Sequence, residues 1–173
     1  RNFVFLAYQD EDGDGELDLE DGLPIGAFQQ ADARYTGAEV NLNYDLNRFV
    51  SSFVSFDTVR ARLTGSNLDL PRIPPTRARL GLEFKYGGLN VRPELVLAAE
   101  QKRVYPLETP TDGYAIVNVG GSYSIGQSHF AHIFTFNAFN LTDKLYRNHL
   151  SFIKELAPEI GRGIRASYTL RFF

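Results

Sequence analysis

Alternation of apolar and polar residues is the dominant pattern along this chain. Between residues 163 and 173 every second side chain is apolar, and those between them are small, polar or cationic. A β-strand directs successive side chains to opposite faces, so the pattern predicts a strand with one apolar and one polar face. The apolar positions are Ile164, Ala166, Tyr168, Leu170 and Phe172.

Five further segments alternate in the same way and predict further strands. Their polar positions include charges or amides. Counting residues 163–173, four of the six predicted strands place full charges there, which a dry core could not accept. The segments are residues 38–46, 77–86, 91–100, 117–125 and 134–138.

Two segments are less regular. Phe3–Tyr8 is apolar at odd and even positions alike, and residues 49–63 begin in one phase and end in the other. A β-bulge near Phe56 would restore a single phase. With that bulge, Arg60 and Arg62 would join the polar face.

The connections between the predicted strands alternate between short and long. All the short ones fall at one end of the predicted sheet, as in outer-membrane barrels with short periplasmic turns and long external loops. We therefore expect an all-β, antiparallel transmembrane barrel segment, with a soluble meander or sandwich as the alternative. Short connections lie at residues 45–48, 86–88 and 126–128, and long ones at about residues 10–33, 65–76, 104–113 and 141–162.

Aromatic residues gather near both ends of the predicted strands, as expected for girdles at the two membrane interfaces. At the short-turn end these are Tyr44, Phe49, Phe84, Tyr86, Tyr123, Phe130 and Phe172. At the long-loop end they are Tyr35, Tyr105, Tyr114 and Tyr146.

Composition excludes several functional classes. The chain has 173 residues, 43% hydrophobic content and a formal net charge of −3, which gives no reason to expect nucleic-acid binding. Cysteine is absent, so disulfides, thiolate catalysis and cysteine metal sites are excluded. Serine, histidine and aspartate show no catalytic arrangement and no phosphate loop occurs, so we do not expect an enzyme.

Residues 10–21 fit the twelve-residue template of a calcium loop. Calcium prefers six to eight hard oxygen ligands, which alternate residues on a tight turn can supply. Strand-like flanks and aspartate at the last position differ from a helix-flanked calcium sensor, so we expect a Ca²⁺ loop on a hairpin, or else a solvated acidic loop. The candidate ligands are Asp10, Asp12, Asp14, Glu16 through its carbonyl, Asp18 and Asp21.

Charged residues of the alternating segments are expected to form a polar wall facing the lumen. Such a wall could contact an internal domain or steer charged cargo, although cross-strand ion pairing explains most of it. Its expected members are Arg60, Arg62, Arg77, Arg79, Arg165 and Arg171, with Glu39, Asp57, Glu83, Glu94 and Glu100. His149, in the last long connection, is expected to hold that loop over the mouth, with transition-metal ligation as the alternative.

Four short segments, in the expected order, resemble stretches near the end of TonB-dependent outer-membrane receptors. They are residues 30–39, 71–75, 137–149 and 157–162. The resemblance implies that residues 1–173 are a C-terminal part of a 22-stranded, plug-filled barrel, of which about eight strands are present. Residues 1–6 accordingly read as the middle of a strand.

The resemblance also implies location and partners. We expect a bacterial outer-membrane protein in contact with the lipid bilayer, with a plug domain and the TonB coupling protein as partners outside this chain. The expected cargo is a scarce metal or metal complex, such as a siderophore, haem or zinc. The alternatives are a stand-alone eight-stranded barrel that acts as an adhesin or binding protein, and a soluble calcium-binding β-domain.

Overall fold

The computed structural model describes residues 3–173, which form strands, turns and loops without any helix. Arg1 and Asn2 of the expected first strand lie outside this range. Within it, no helix long and apolar enough to cross a membrane is found. The strands are β1 (Phe3–Tyr8), β2 (Leu19–Glu20), β3 (Leu23–Pro24), β4 (Gly26–Ala31), β5 (Ala33–Asn47), β6 (Val50–Leu63), β7 (Arg77–Tyr86), β8 (Leu89–Ala98), β9 (Tyr114–Gly126), β10 (Phe130–Phe139) and β11 (Gly163–Phe172).

Seven long strands form one antiparallel meander in the order β11-β10-β9-β8-β7-β6-β5. β1 pairs with β4, and β4 leads into β5 after a single residue. With β4 and β5 counted as one strand, β1 and the seven strands of the meander make eight, as expected. Residues 10–33 were expected to form one long connection. In the structure this segment instead contains the small β2–β3 hairpin and β4, so the connection itself is shorter. Across residues 3–173, neither β1 nor β5 pairs with β11, so these strands form an open sheet rather than a closed eight-stranded barrel.

Short turns at one end of the sheet hold the strands in register. Gly87 and Gly88 have φ angles of 53° and 85°, the left-handed values that a two-residue hairpin requires. A side chain at Gly88 would also meet the carbonyl oxygen of Ser124 at 2.5 Å. The predicted Gly-Gly hairpin is thus confirmed.

The two faces of the sheet differ in chemistry. One face, here called the apolar face, carries a continuous row in which each residue pairs with the next: Leu42, Val54, Leu80, Leu95 and Val117. The side chains of this face are open to the surroundings, with Leu42 60% and Leu80 38% exposed. A sheet in water would cover such a surface with a second layer. The open apolar face therefore agrees with contact to lipid.

The expected bulge near Phe56 is wrong. β6 keeps one continuous register with β5 from Ser51 to Leu63, and the irregularity lies in β5 between Asp45 and Asn47, beside the short turn. Because the phase does not change, Arg60 and Arg62 lie on the same side of the sheet as the apolar face, not on the polar wall.

The apolar residues in the last part of β6 explain why the sequence suggested a change of phase. Ala61 and Leu63 lie on the opposite side from Arg60 and Arg62, where they pack with Phe5, Ala7 and Leu70. Their apolar character thus reflects a small core at the long-loop end rather than contact with lipid. This local core holds β1 against β6.

The prediction of a second aromatic girdle, at the long-loop end of the strands, is also wrong. Tyr35 pairs with buried Ala61, and Tyr114 pairs with Ala98, so both lie on the side of the sheet opposite to the apolar face. Tyr105 packs in the small core, and Tyr146 stacks on Tyr114 with ring centroids 4.3 Å apart. Tyr105 and Tyr146 thus pack their loops onto the sheet, and Tyr35 packs edge-on against Phe3 of β1, with ring centroids 5.4 Å apart.

Candidate functional site

The face opposite to the apolar face forms the expected polar wall. Eight of the predicted members lie on it by strand register. These are Glu39, Asp57, Arg77, Arg79, Glu83, Glu94, Arg165 and Arg171. Arg60 and Arg62 are on the other side, and Glu100 lies beyond β8, where it pairs with Lys102 at 2.9 Å.

Cross-strand ion pairs satisfy much of the wall. Arg77 Nε lies 3.0 Å from Asp57 Oδ2, and a guanidinium nitrogen of Arg79 lies 2.6 Å from Glu94 Oε2. The arginine side chains of these pairs remain 40% and 56% exposed. Such partly solvated pairs contribute little to stability.

Arg165, like Arg171 on the same strand, forms no ion pair with any residue in the described range. It lies opposite Asn137, beside a cavity of about 340 Å³ beneath the last long loop. Amide, aromatic, aliphatic and charged groups line this cavity: Ile116, Asn118, Asn137, Phe139, Asn140, Tyr146, Glu159, Ile160 and Arg165. Burial raises the pKa of the Tyr146 hydroxyl, so this group stays protonated and can donate a hydrogen bond. The cavity can therefore hold a polar or anionic group.

A buried carboxylate ties the long loops together. Glu108, in the β8–β9 connection, accepts hydrogen bonds from the backbone N–H groups of Arg72 and Tyr105 and from Lys154 Nζ, 3.1 Å away in the last loop. Burial by itself would raise the pKa of Glu108, but the ring of His149, the charge of Lys154 and these hydrogen bonds lower it overall. The charged pair of Glu108 and Lys154, both about 2% exposed, thus joins three connections.

His149 completes this buried cluster. Its Nδ1 lies 3.0 Å from the Thr111 hydroxyl, and its Nε2 lies 3.2 Å from Glu108 Oε1 without the alignment of a hydrogen bond. Nε2 therefore makes a close polar contact to the carboxylate, but no hydrogen bond to any described residue. The placement agrees with the expected loop-holding role.

Arg72 clamps the outer side of the same cluster. Its guanidinium group lies 3.8 Å from the ring centroid of Phe152 and donates to the Tyr8 hydroxyl at 3.3 Å. Its backbone φ of 55° turns the N–H group toward Glu108. One residue thus connects β1, the β6–β7 loop and the last loop.

The acidic loop between β1 and β2 brings three of the predicted calcium ligands together. One carboxylate oxygen from each of Asp10, Asp12 and Asp14 lies within 4.8 Å of the others. The Asp10 carboxylate also accepts the N–H groups of Gly13 and Gly15, whose φ angles are 75° and 85°. The loop therefore folds its carboxylates inward around a common point.

The carboxylates of the other three predicted ligand residues do not join this group. Asp18 accepts the N–H group of Glu11 at 2.7 Å, which brings its carboxylate to the start of the loop. Glu16 donates its N–H to Asp14, and Asp21 lies in the β2–β3 turn with a φ of 52°. That Asp18 and Asp21 also bind the cation stays a prediction, which a calcium titration would test.

The Glu108–Lys154 pair is a feature that the sequence did not reveal. The two residues are separated by 46 positions, in loops that look solvated on composition alone. Only the contact between neighbouring connections brings them together. The only hint of the Glu108–Lys154 pair in the sequence was the nearby His149, which was expected to hold the last loop in place.

Comparison with known proteins identifies the family. A family model described as "TonB dependent receptor-like, beta-barrel" matches residues 1–141. A search of curated proteins found no match. Two similar solved structures are "Copper transporter OprC", with 22% identity and a TM-score of 0.77, and BauA, the ferric preacinetobactin receptor from Acinetobacter baumannii, with 19% identity and a TM-score of 0.66.

These two structures share the fold of the chain along nearly its whole length. OprC matches 99% of this chain and BauA 98%, whereas the matches cover only 26% and 25% of those proteins. The chain thus spans about a quarter of the length of each. The exposed apolar face, the polar wall and the family match lead to one conclusion: the chain belongs to the TonB-dependent receptor β-barrel family, whose members are outer-membrane proteins.

Proposed function

We propose that the chain is part of the barrel of a receptor that imports a scarce metal or metal complex, such as a siderophore, haem or zinc, across the outer membrane. The observation that carries the proposal is the two-faced sheet, with an apolar row from Leu42 to Val117 on one side and ion pairs such as Asp57–Arg77 on the other. Such a sheet separates lipid from a wet lumen. The copper and the ferric preacinetobactin in the names of OprC and BauA support a metal-containing cargo.

In this proposal residues 1–173 supply a C-terminal part of the barrel. A plug domain and the TonB coupling protein, both outside these residues, complete the transport machinery. The long loops, joined through Glu108, form part of the outer mouth. Arg165 and the cavity beside it would contact either the plug or an anionic metal chelate, because the guanidinium group is free to bind an acceptor.

Uptake by the whole receptor tests the transport proposal. Cells that depend on this receptor would be given radiolabelled ferric siderophore, haem, zinc or copper, with and without a functional TonB protein. We expect accumulation of one of these cargoes that disappears without TonB. Accumulation of none of them, or uptake that persists without TonB, would contradict the proposal.

A matched pair of arginine variants tests the role of the cavity. Arg165→Ala removes the guanidinium group beside the cavity, whereas Arg171→Ala removes one from the same face of β11, nearer the short turns. Loss of a charge-assisted hydrogen bond should weaken cargo binding by about tenfold or more for Arg165→Ala. Equal affinity of the two variants would exclude a direct contact between Arg165 and the cargo.

We also propose that residues 10–21 bind Ca²⁺. The convergence of Asp10, Asp12 and Asp14 supports this proposal, because three carboxylates at such separations repel one another without a cation. Asp18 is near enough to the loop start to join them after a small movement. The ion would stiffen an external loop and would take no part in catalysis.

A further inference from the structure

We propose that Arg34, Arg60 and Arg62 form a binding site for the phosphate groups of an anionic lipid in the outer leaflet of the outer membrane. In the register of β5 and β6, Arg34 lies directly opposite Arg62, and Thr36 lies opposite Arg60. The side chains of all three arginines therefore lie on the same side of the sheet, on the neighbouring strands β5 and β6. This group of residues is called the arginine cluster below.

The arginine cluster lies on the side of the sheet that meets lipid. Arg34 has the same strand phase as Val40, Leu42 and Tyr44, which are 45%, 60% and 68% exposed on the apolar face. The polar wall, with its ion pairs, is on the opposite side. Neither a plug nor a cargo inside the lumen could therefore contact these arginines.

The depth of the cluster matches the outer membrane interface. Tyr44 is near the short-turn end of β5, and Arg34 lies ten residues away on the same strand. Ten residues of antiparallel strand span about 34 Å. With the strand tilt of about 40° that is typical of such barrels, this corresponds to ~25 Å across the membrane, the height of the apolar band. Arg34 and Arg62 thus lie where the headgroups of the outer leaflet begin.

Neighbouring carboxylates do not balance the cluster. Asp69 lies 3.7 Å from Arg60 Nε and 3.1 Å from Arg62 Nε, so one carboxylate serves two guanidinium groups. Asp32 precedes Arg34 by two positions, which leaves three guanidinium groups against two carboxylates. The side chains of Arg60 and Arg62 remain 46% and 37% exposed. An excess positive charge beside hydrocarbon is stabilised by an anionic headgroup.

The chemistry of arginine favours a phosphate group as the partner. The planar guanidinium group can donate two parallel hydrogen bonds to phosphate oxygens, and its hydrocarbon stem can lie along an apolar surface. Three such groups on adjacent strands can share one phosphorylated headgroup while its acyl chains cover the apolar face below. This proposal depends on the membrane orientation of the barrel and not on the cargo, so it can fail while the import proposal stands.

Counting of bound lipid on the intact receptor tests the site. The whole receptor would be placed in nanodiscs with bisphosphorylated lipid A as the probe, and bound lipid would be measured by native mass spectrometry. Each arginine near a charged membrane surface should strengthen binding about 5-fold, so Arg34→Gln with Arg62→Gln should weaken it ~30-fold. Arg48→Gln is the matched control, because Arg48 lies at the short-turn end, above the ring of Phe49.

Each of the following outcomes would overturn the proposal. These are unchanged lipid binding in the double variant, an equal loss in Arg48→Gln, and equal binding of lipid A without its phosphates. Competition by millimolar inorganic phosphate alone would also overturn it, since the site would then bind free phosphate. The Arg34→Lys, Arg62→Lys variant keeps the charge but loses the paired guanidinium donors, so its lipid binding should lie between that of the unaltered receptor and that of the double glutamine variant. Heat-modifiable gel mobility shows whether each variant is folded.

Discussion

Two loop regions carry acidic side chains in opposite circumstances. Glu108, in the β8–β9 connection, is buried against the last loop, where Lys154 and two backbone N–H groups contact it. Asp12 and Asp14, in the loop after β1, are exposed and accept only backbone N–H groups. The same chemical group therefore joins loops in one place and remains open to a cation in the other.

The difference follows from the cost of removing charge from water. A buried carboxylate is tolerated only when partners replace the lost hydration, so Glu108 requires the contacts from neighbouring loops. Exposed carboxylates keep their hydration and require no protein partner, so the acidic loop can fold without one. Variants that remove one partner at a time should therefore affect the two regions very differently.

Glu108→Ala should have the largest effect. It leaves Lys154 buried without its counter-charge, which typically costs about 3–5 kcal/mol. We expect the free energy of opening of the two long loops to fall by this amount, measured by hydrogen exchange of the refolded receptor. Glu155→Ala, which removes only an exposed hydrogen bond from Thr109, should change it by less than about 1 kcal/mol. Equal protection in both variants would contradict a central role for Glu108.

Acidification should reproduce part of this effect. The pKa of Glu108 is lowered from its ordinary value of 4.5, so its contribution is complete above that pH and is lost as the pH falls through the lowered value. Loop protection, corrected for intrinsic exchange, should stay constant from neutral pH to about pH 5 and decrease only below the ordinary pKa. Glu108→Gln should abolish this dependence. A loss of protection already near pH 6 would point to another group.

Arg72→Ala tests the outer clamp of the same loops. The change removes a cation–π contact with Phe152 and a hydrogen bond to Tyr8, but it keeps the backbone N–H that Glu108 accepts. We expect a loss of about 1–2 kcal/mol in loop protection. Arg103→Ala, in the β8–β9 connection, is the control and should leave protection unchanged. If the two variants behave alike, the side chain of Arg72 is not a clamp.

The smallest structural effect is expected in the acidic loop. Asp12→Asn should leave calcium-free loop protection unchanged, because Asp12 contacts only its own turn. In isothermal titration the unaltered receptor should bind Ca²⁺ at about 10⁻⁴–10⁻³ M, and the variant should show little heat. Glu11→Gln, at a template position whose side chain is not a ligand, should titrate like the unaltered protein. No heat from the unaltered loop would remove the calcium proposal.

Local rules predicted most of the fold correctly. Period-two alternation located the long strands, and Gly87–Gly88 identified a hairpin because left-handed φ angles are accessible to glycine. The errors arose where a local pattern had two meanings. Apolar Ala61 and Leu63 suggested a lipid-facing phase, but they pack in a core with Leu70. No sequence rule separates an apolar residue covered by a loop from one covered by lipid.

The sequence by itself determined the two-faced strands, the order of short and long connections and the convergent carboxylates of residues 10–15. These properties depend on contacts between residues close in the chain, or on the alternation that a strand imposes. Only the tertiary structure decided the side on which Arg60 and Arg62 lie, and the burial of Glu108 with Lys154. Both depend on register and on packing between distant segments, and neither leaves a periodic trace in the sequence.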